Sequence, residues 1–291
     1  MRNNLDRLAG SVGAQTLRQD SDFPQQLEQA ENTTVGNGSP LSFIVPTEFV
    51  SLPSKGKFYA VNHPLRDKDT LEIKQMTAKE EDILTSRNLL KKGVALDKLI
   101  QSLVVDKRIN TDSLTAEDRG AIILAARISA YGSEYSTVVT CPSCMQKGKS
   151  SFDLLEKLDS ENEQEPVSVD ENGFFSVLLP KTKWNLKCRA ITGREEKHLL
   201  KLSETKKTGL EGDSLLMEQL KLIVVSINDV TDRPTVENAI SAMPAGDSKY
   251  LRNMHQNLVR GIDMRHSYTC KSCEFEGELE VPLTVDFFWF K

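Results

Sequence analysis

Four of the five cysteines fall in two identical spacings, Cys141-Pro142-Ser143-Cys144 and Cys270-Lys271-Ser272-Cys273. Two residues between thiols let a tight turn aim both sulfurs at one ion, as in zinc knuckles. Each pair supplies two ligands, whereas a structural zinc site takes four. The two pairs are therefore expected to complete one Zn2+ site from Cys141, Cys144, Cys270 and Cys273. A four-thiolate site is coordinatively closed and leaves no position for water or substrate, so its work is to hold shape. A thioredoxin-type redox pair would need its cysteines at a helix N-terminus. Here Val138-Val139-Thr140 leads in and Met145 to Gly148 follows, which reads as strand, knuckle and turn. The remaining alternative is two pairs that hold no metal. His266, four residues before Cys270, is a further possible ligand. Its counterpart ahead of the first pair is Thr137, so it reads as an exposed polar residue. Cys188 sits alone in the strand-like Trp184-Asn185-Leu186-Lys187-Cys188, where a cysteine acts as a small apolar core residue.

Little else in the chain carries chemistry. His63, His198, His255 and His266 lie in no context that suggests a nucleophile, a base or a metalloprotease helix. Gly56-Lys57 lacks the upstream glycine of a phosphate-binding loop and is followed by Phe58 rather than Ser or Thr. Carboxylates are spread along helix faces and linkers. No catalytic residue is expected, and the chain reads as a non-enzyme.

The elements that must position the cysteines recur in two halves. Gly56 to Val61 and then Leu71 to Met76 read as a hairpin, as do Gly173 to Val177 and Trp184 to Ile191. Each hairpin leads to a capping box, Thr77-Ala78-Lys79-Glu80 and Thr192-Gly193-Arg194-Glu195. A second helix follows in each half, with one apolar face from Leu96, Leu99, Ile100 and Leu103, or from Leu216, Leu220, Ile223 and Val224. From Asp118 to Cys144 and from Asp247 to Cys273 the halves align without a gap. Asp118 matches Asp247, Gly132 matches Gly261, Thr140 matches Thr269 and Ser143 matches Ser272. Both glycines stand where a helix would stop in a left-handed cap. The second half carries an insertion around Thr231 to Gly246.

The expected fold is thus α+β, with two divergent repeats, each a β-hairpin, about three helices and a zinc knuckle. They share a four-cysteine, zinc-ribbon-like site. Residues 1–40 are polar and form an extended or disordered arm. The first repeat spans 41–157, an acidic linker 158–172, and the second repeat 173–291. The terminal Phe287-Phe288-Trp289-Phe290 reads first as a segment folded on its own core, and second as an anchor for a partner. A net charge of −5 argues against nucleic acid, whose binders carry a basic face. No apolar run is long enough for a membrane span, and the polar stretch Met1 to Ala30 holds no hydrophobic signal core, which reads as a reducing cytosol in which thiols stay reduced.

One ordered set of motifs resembles a known family. It comprises Leu52-Pro53-Ser54-Lys55-Gly56-Lys57-Phe58-Tyr59, Met76-Thr77-Ala78-Lys79-Glu80-Glu81-Asp82-Ile83-Leu84, and Leu89-Leu90-Lys91-Lys92-Gly93. Asp118-Arg119, Ala126-Arg127-Ile128, Tyr131-Gly132-Ser133-Glu134-Tyr135 and Cys141-Pro142-Ser143-Cys144 complete it. The set is similar to the baseplate hub and hub-assembly proteins of T-even-type contractile-tailed bacteriophages. The resemblance implies a structural or assembly role that holds neighbouring subunits together in the virion, with no catalytic residues to carry over. It implies other baseplate or hub subunits as partners, and the tape-measure protein as a further one. The alternative function is a cytosolic zinc-ribbon adaptor that binds nucleic acid.

Overall fold

A computed structural model of the chain describes residues 45–158, 167–207, 215–281 and 283–289. The expected arm, 1–40, and most of the expected linker, 159–166, lie outside the described residues.

Alternating burial builds the first sheet. Strand β1 (Thr47–Ser51) pairs antiparallel with β2 (Thr70–Lys74), setting Val50 opposite Leu71. Val50, Leu71 and Ile73 point into the core. The opening strand was expected at Gly56 to Val61, but those residues are a run of turns. The reason is local. Lys55 and Gly56 take φ of 48° and 68°, and a Cβ on Gly56 would stand 2.2 Å from the Leu65 carbonyl oxygen. That backbone folds back too tightly to be a strand.

Helix α1 (Ala78–Thr85) starts at the expected capping box, in which Glu80 accepts from the Thr77 backbone N–H at 3.0 Å. After α2 (Arg87–Lys92), Gly93 closes the turn in the left-handed region. Helix α3 (Ala95–Leu103) buries Leu99, Ile100 and Leu103, as their spacing dictates, and Val104 then bridges to Ile73. Thr115 caps α4 (Ala116–Tyr131), which buries Ile122, Ile123 and Ala126 and stops at Gly132 with φ 83°. The hairpin of β3 (Glu134–Thr140) and β4 (Lys147–Asp153) follows, then α5 (Leu155–Leu158).

The remaining elements follow from residue 175 on. Strands β5 (Phe175–Leu178) and β6 (Asn185–Cys188) pair, and α6 (Gly193–Lys207) begins at the second capping box. Helix α7 (Leu215–Ile223) leads directly into β7 (Val224–Ile227), which joins a sheet of order β5-β6-β7. Val224 therefore does not share the helical face expected of it. It lies in the strand opposite Cys188, as Val104 lies opposite Ile73. Within the expected insertion lies α8 (Arg233–Ser241), capped by Asp232 with proline in its first turn. Helix α9 (Ala245–Leu258) precedes the hairpin of β8 (Arg265–Thr269) and β9 (Glu276–Glu280). Gly261 is not the left-handed stop expected of it, because α9 ends earlier, with Val259 as its cap. Its small size instead admits Glu117, whose Cγ would lie 3.3 Å from an added Cβ.

The apolar residues gather in one large cluster per half, with a third, small one at Cys141, Tyr268 and Cys270, and each half lends residues to the other. Met264, Val281, Phe287 and Phe288 complete the core around α3 and α4, while Phe58 joins the core of the second half. Of the terminal aromatics, Phe287 and Phe288 thus fold back onto the chain's own core, in a 3-10 turn, Val285–Phe288. Arg127, fully buried, fastens that turn. Its Nε donates to the Phe287 carbonyl at 3.2 Å, and Nη1 donates to that of Gly132 at 2.9 Å. The halves also meet at their helix starts. The Ala116 N–H donates to Ile191 O and the Gly193 N–H to Leu114 O, each at 2.9 Å.

Candidate metal centre

Period-two alternation brings the sulfurs to one place. Tyr135, Thr137 and Val139 share one face of β3, and Cys141 is the next position on it. His266 and Tyr268 share the matching face of β8, and Cys270 is next. The two turns are alike in detail. The Cys141 N–H donates to Gln146 O at 2.9 Å and the Met145 N–H to Cys141 O at 3.0 Å. In the other, the Cys270 N–H donates to Phe275 O at 2.8 Å and the Glu274 N–H to Cys270 O at 2.9 Å. Met145 and Glu274, which close the turns, have φ of 61° and 56°.

The four sulfurs lie within 4.8 Å of one another. Cys141 Sγ is 3.7 Å from Cys273 Sγ, and Cys144 Sγ is 3.6 Å from Cys270 Sγ. Each of these short pairs joins one knuckle to the other. The distances are far above the ~2.05 Å of a disulfide. They agree with the edge of a tetrahedron whose metal–sulfur arms are about 2.3 Å, which is about 3.8 Å. Four close cysteines so arranged can hold a metal ion. Among the described residues no other group of His, Cys, Asp or Glu forms such a cluster.

The electrostatics fit the same occupant. The Ser272 backbone N–H, with help from that of Cys273 and the Tyr268 hydroxyl, holds the Cys270 thiol down to about 6, against burial. The Gln146 N–H favours the Cys144 thiolate as well, but burial and the other three sulfurs push that thiol up to about 12. Crowded thiolates repel, so a full set of four ionised sulfurs needs a cation at its centre.

Tyr268 was missed in the sequence. It is buried beside Cys141 and Cys270, and its hydroxyl lies 3.3 Å from where a Cβ on Gly148 would be. Its one available signal was position, two residues before Cys270 on the same strand face. His266 stands outside the sulfur cluster and stacks on Phe152, with ring centroids 4.2 Å apart. Cys188 is buried in the second core, where burial pushes its thiol up to about 12.

The helices that lead into the knuckles are fixed by a matched pair of buried aspartates. Asp118 accepts from the Ser54 N–H at 3.0 Å, the Ser54 hydroxyl at 2.6 Å and the Tyr59 hydroxyl at 2.5 Å. Asp247 accepts from the Lys181 and Thr182 N–H groups, both at 2.9 Å. Each carboxylate thus ties the first turn of a helix to the loop between the strands of its half's sheet. The helix before each knuckle is held to that sheet's loop in consequence.

Residues 45–177 match the family model described as T4 bacteriophage base plate protein. No curated protein and no solved structure matches the chain.

Proposed function

We propose, from the match of residues 45–177 to the T4 bacteriophage base plate protein family, that the chain is a non-catalytic scaffold subunit in the hub region of a T4-type phage baseplate. It is built from two divergent repeats, 41–157 and 173–291, joined through the acidic linker, with residues 1–40 as an arm that orders on a neighbour. Zn2+ bound by Cys141, Cys144, Cys270 and Cys273 clamps the repeats together. The ion supplies cross-linking alone, since four thiolates fill its coordination shell. The observation that carries the reading is the pairing of sulfurs across the knuckles, at 3.6 and 3.7 Å, in a chain of this family.

The subunit holds neighbouring baseplate or hub subunits together, with the tape-measure protein a further partner, and joins the tail during assembly in the host cytoplasm. The nucleic-acid alternative draws no support from the outward side of the second hairpin, where Glu276, Glu278 and Glu280 are exposed.

Quantitative mass spectrometry of purified phage tails tests the reading. The expected result is this chain at a fixed ratio to the other baseplate proteins, with baseplates lost when Cys270→Ser replaces the native chain. Normal tails assembled without the chain would overturn it.

A further inference from the structure

The two knuckle hairpins pack through their inner faces. Phe152 stacks on His266, and Gly148 lies against the Tyr268 hydroxyl. Their outer faces carry mostly exposed side chains. These outer faces are built on one plan. In the first hairpin Thr140 pairs with Lys147, Val138 with Lys149 and Ser136 with Ser151. In the second Thr269 pairs with Glu276, Ser267 with Glu278 and Arg265 with Glu280. Counted from the cysteines, Lys147 stands where Glu276 stands, and Lys149 where Glu278 stands. The same two positions carry opposite charge.

All four side chains are exposed. Alternate residues of a strand rise about 7 Å, so the lysine pair and the glutamate pair have the same pitch. Lys147 and Lys149 form no ion pair among the described residues, and Glu278 has only a 3.5 Å contact to Arg265, which is already engaged by Asp263 at 2.6 Å. Val138, 43% exposed, adds an apolar contact between the lysines' strand and its neighbour.

We propose that the outer face of the first knuckle hairpin docks on the outer face of the second knuckle hairpin of another copy of this chain. Lys147 and Lys149 then face Glu276 and Glu278. Two different patches meet, so the contact is head-to-tail, and repeated it gives a ring or a filament rather than a closed pair. Charge complementarity sets the direction and register of the contact and speeds encounter. The inference goes beyond the baseplate reading, and its test on purified protein can fail while that reading stands.

The test is sedimentation of the full chain across concentration, at low and at physiological salt. The expected result is self-association that weakens as salt rises. Reversing one patch, Lys147→Glu with Lys149→Glu, or Glu276→Lys with Glu278→Lys, is expected to weaken association about tenfold or more, because like charges then meet. Mixing the two reversed proteins is expected to restore it, since one is acidic and the other basic on both faces. Restoration also shows that both variants are folded. A chain that stays monomeric at every concentration would overturn the proposal. So would association that ignores both reversals.

Discussion

Asp118→Asn separates a structural latch from an incidental contact. The carboxylate accepts from three donors, the Ser54 N–H and hydroxyl and the Tyr59 hydroxyl. Tyr59 itself accepts from the Thr115 N–H at 3.2 Å, so its own proton is committed to Asp118. An amide keeps one acceptor oxygen and places an NH2 where a donor already points. A hydrogen bond to a charged group contributes about 1.5–3 kcal/mol and a buried donor left unsatisfied costs about 1–3 kcal/mol, so the substitution costs about 3–5 kcal/mol in all. For a unit the size of Ile44–Lys291, each kcal/mol moves Tm by about 2–4 °C. A fall of about 6–20 °C is therefore expected, followed by circular dichroism on heating at pH 7. Asp247→Asn disturbs two backbone donors, against one backbone and two hydroxyl donors at Asp118, and should cause a smaller fall. Asp82→Asn, at an exposed site, is the control. A shift in Asp118→Asn no larger than the control's would refute the reasoning.

Two further perturbations probe the junction of the halves. Gly173 has φ 80°, and an added Cβ would lie 2.5 Å from the Phe58 carbonyl carbon and oxygen. Gly173→Ala should cost about 1–3 kcal/mol in urea unfolding, and a neutral result would mean the junction is not packed as described. Burial, with Asp118 and Glu196 nearby, pushes the Glu117 carboxyl up to about 8, and its Oε2 has no hydrogen-bond partner among the described residues. A carboxyl raised on folding contributes stability that is full below its unfolded value and is lost as pH rises through its folded value. Glu117→Gln should therefore flatten the fall in stability between about pH 4.5 and 8, and an unchanged pH profile of Tm would count against it.

Local pattern made much of the fold legible. Thr77 and Glu80 announced α1, and Leu96, Leu99, Ile100 and Leu103 announced α3, because caps and apolar stripes are properties of short windows. The cysteine pairs were legible through spacing, and the matched turns at Met145 and Glu274 follow from that spacing. What stayed hidden depends on distant contacts. The backbone at Gly56 folds under Leu65 and Lys68, so an apolar, aromatic stretch became a turn. Val224 continued a helical stripe in sequence but was claimed by Cys188 across the sheet. The matched Asp118 and Asp247 were visible as residues, yet their partners, Ser54, Tyr59, Lys181 and Thr182, lie 59 to 66 positions away along the chain. Tyr268 carried no motif of its own, since its role comes from the strand face it shares with Cys270.

The proposed metal clamp is tested most directly by the zinc content of the purified full chain, measured by elemental mass spectrometry beside its cysteine variants. The expected result is one zinc per chain, lost in Cys141→Ser and in Cys270→Ser alike, because each removes a ligand from a different knuckle of the same site. Wild-type protein without zinc, or a zinc content that neither substitution changes, would contradict it.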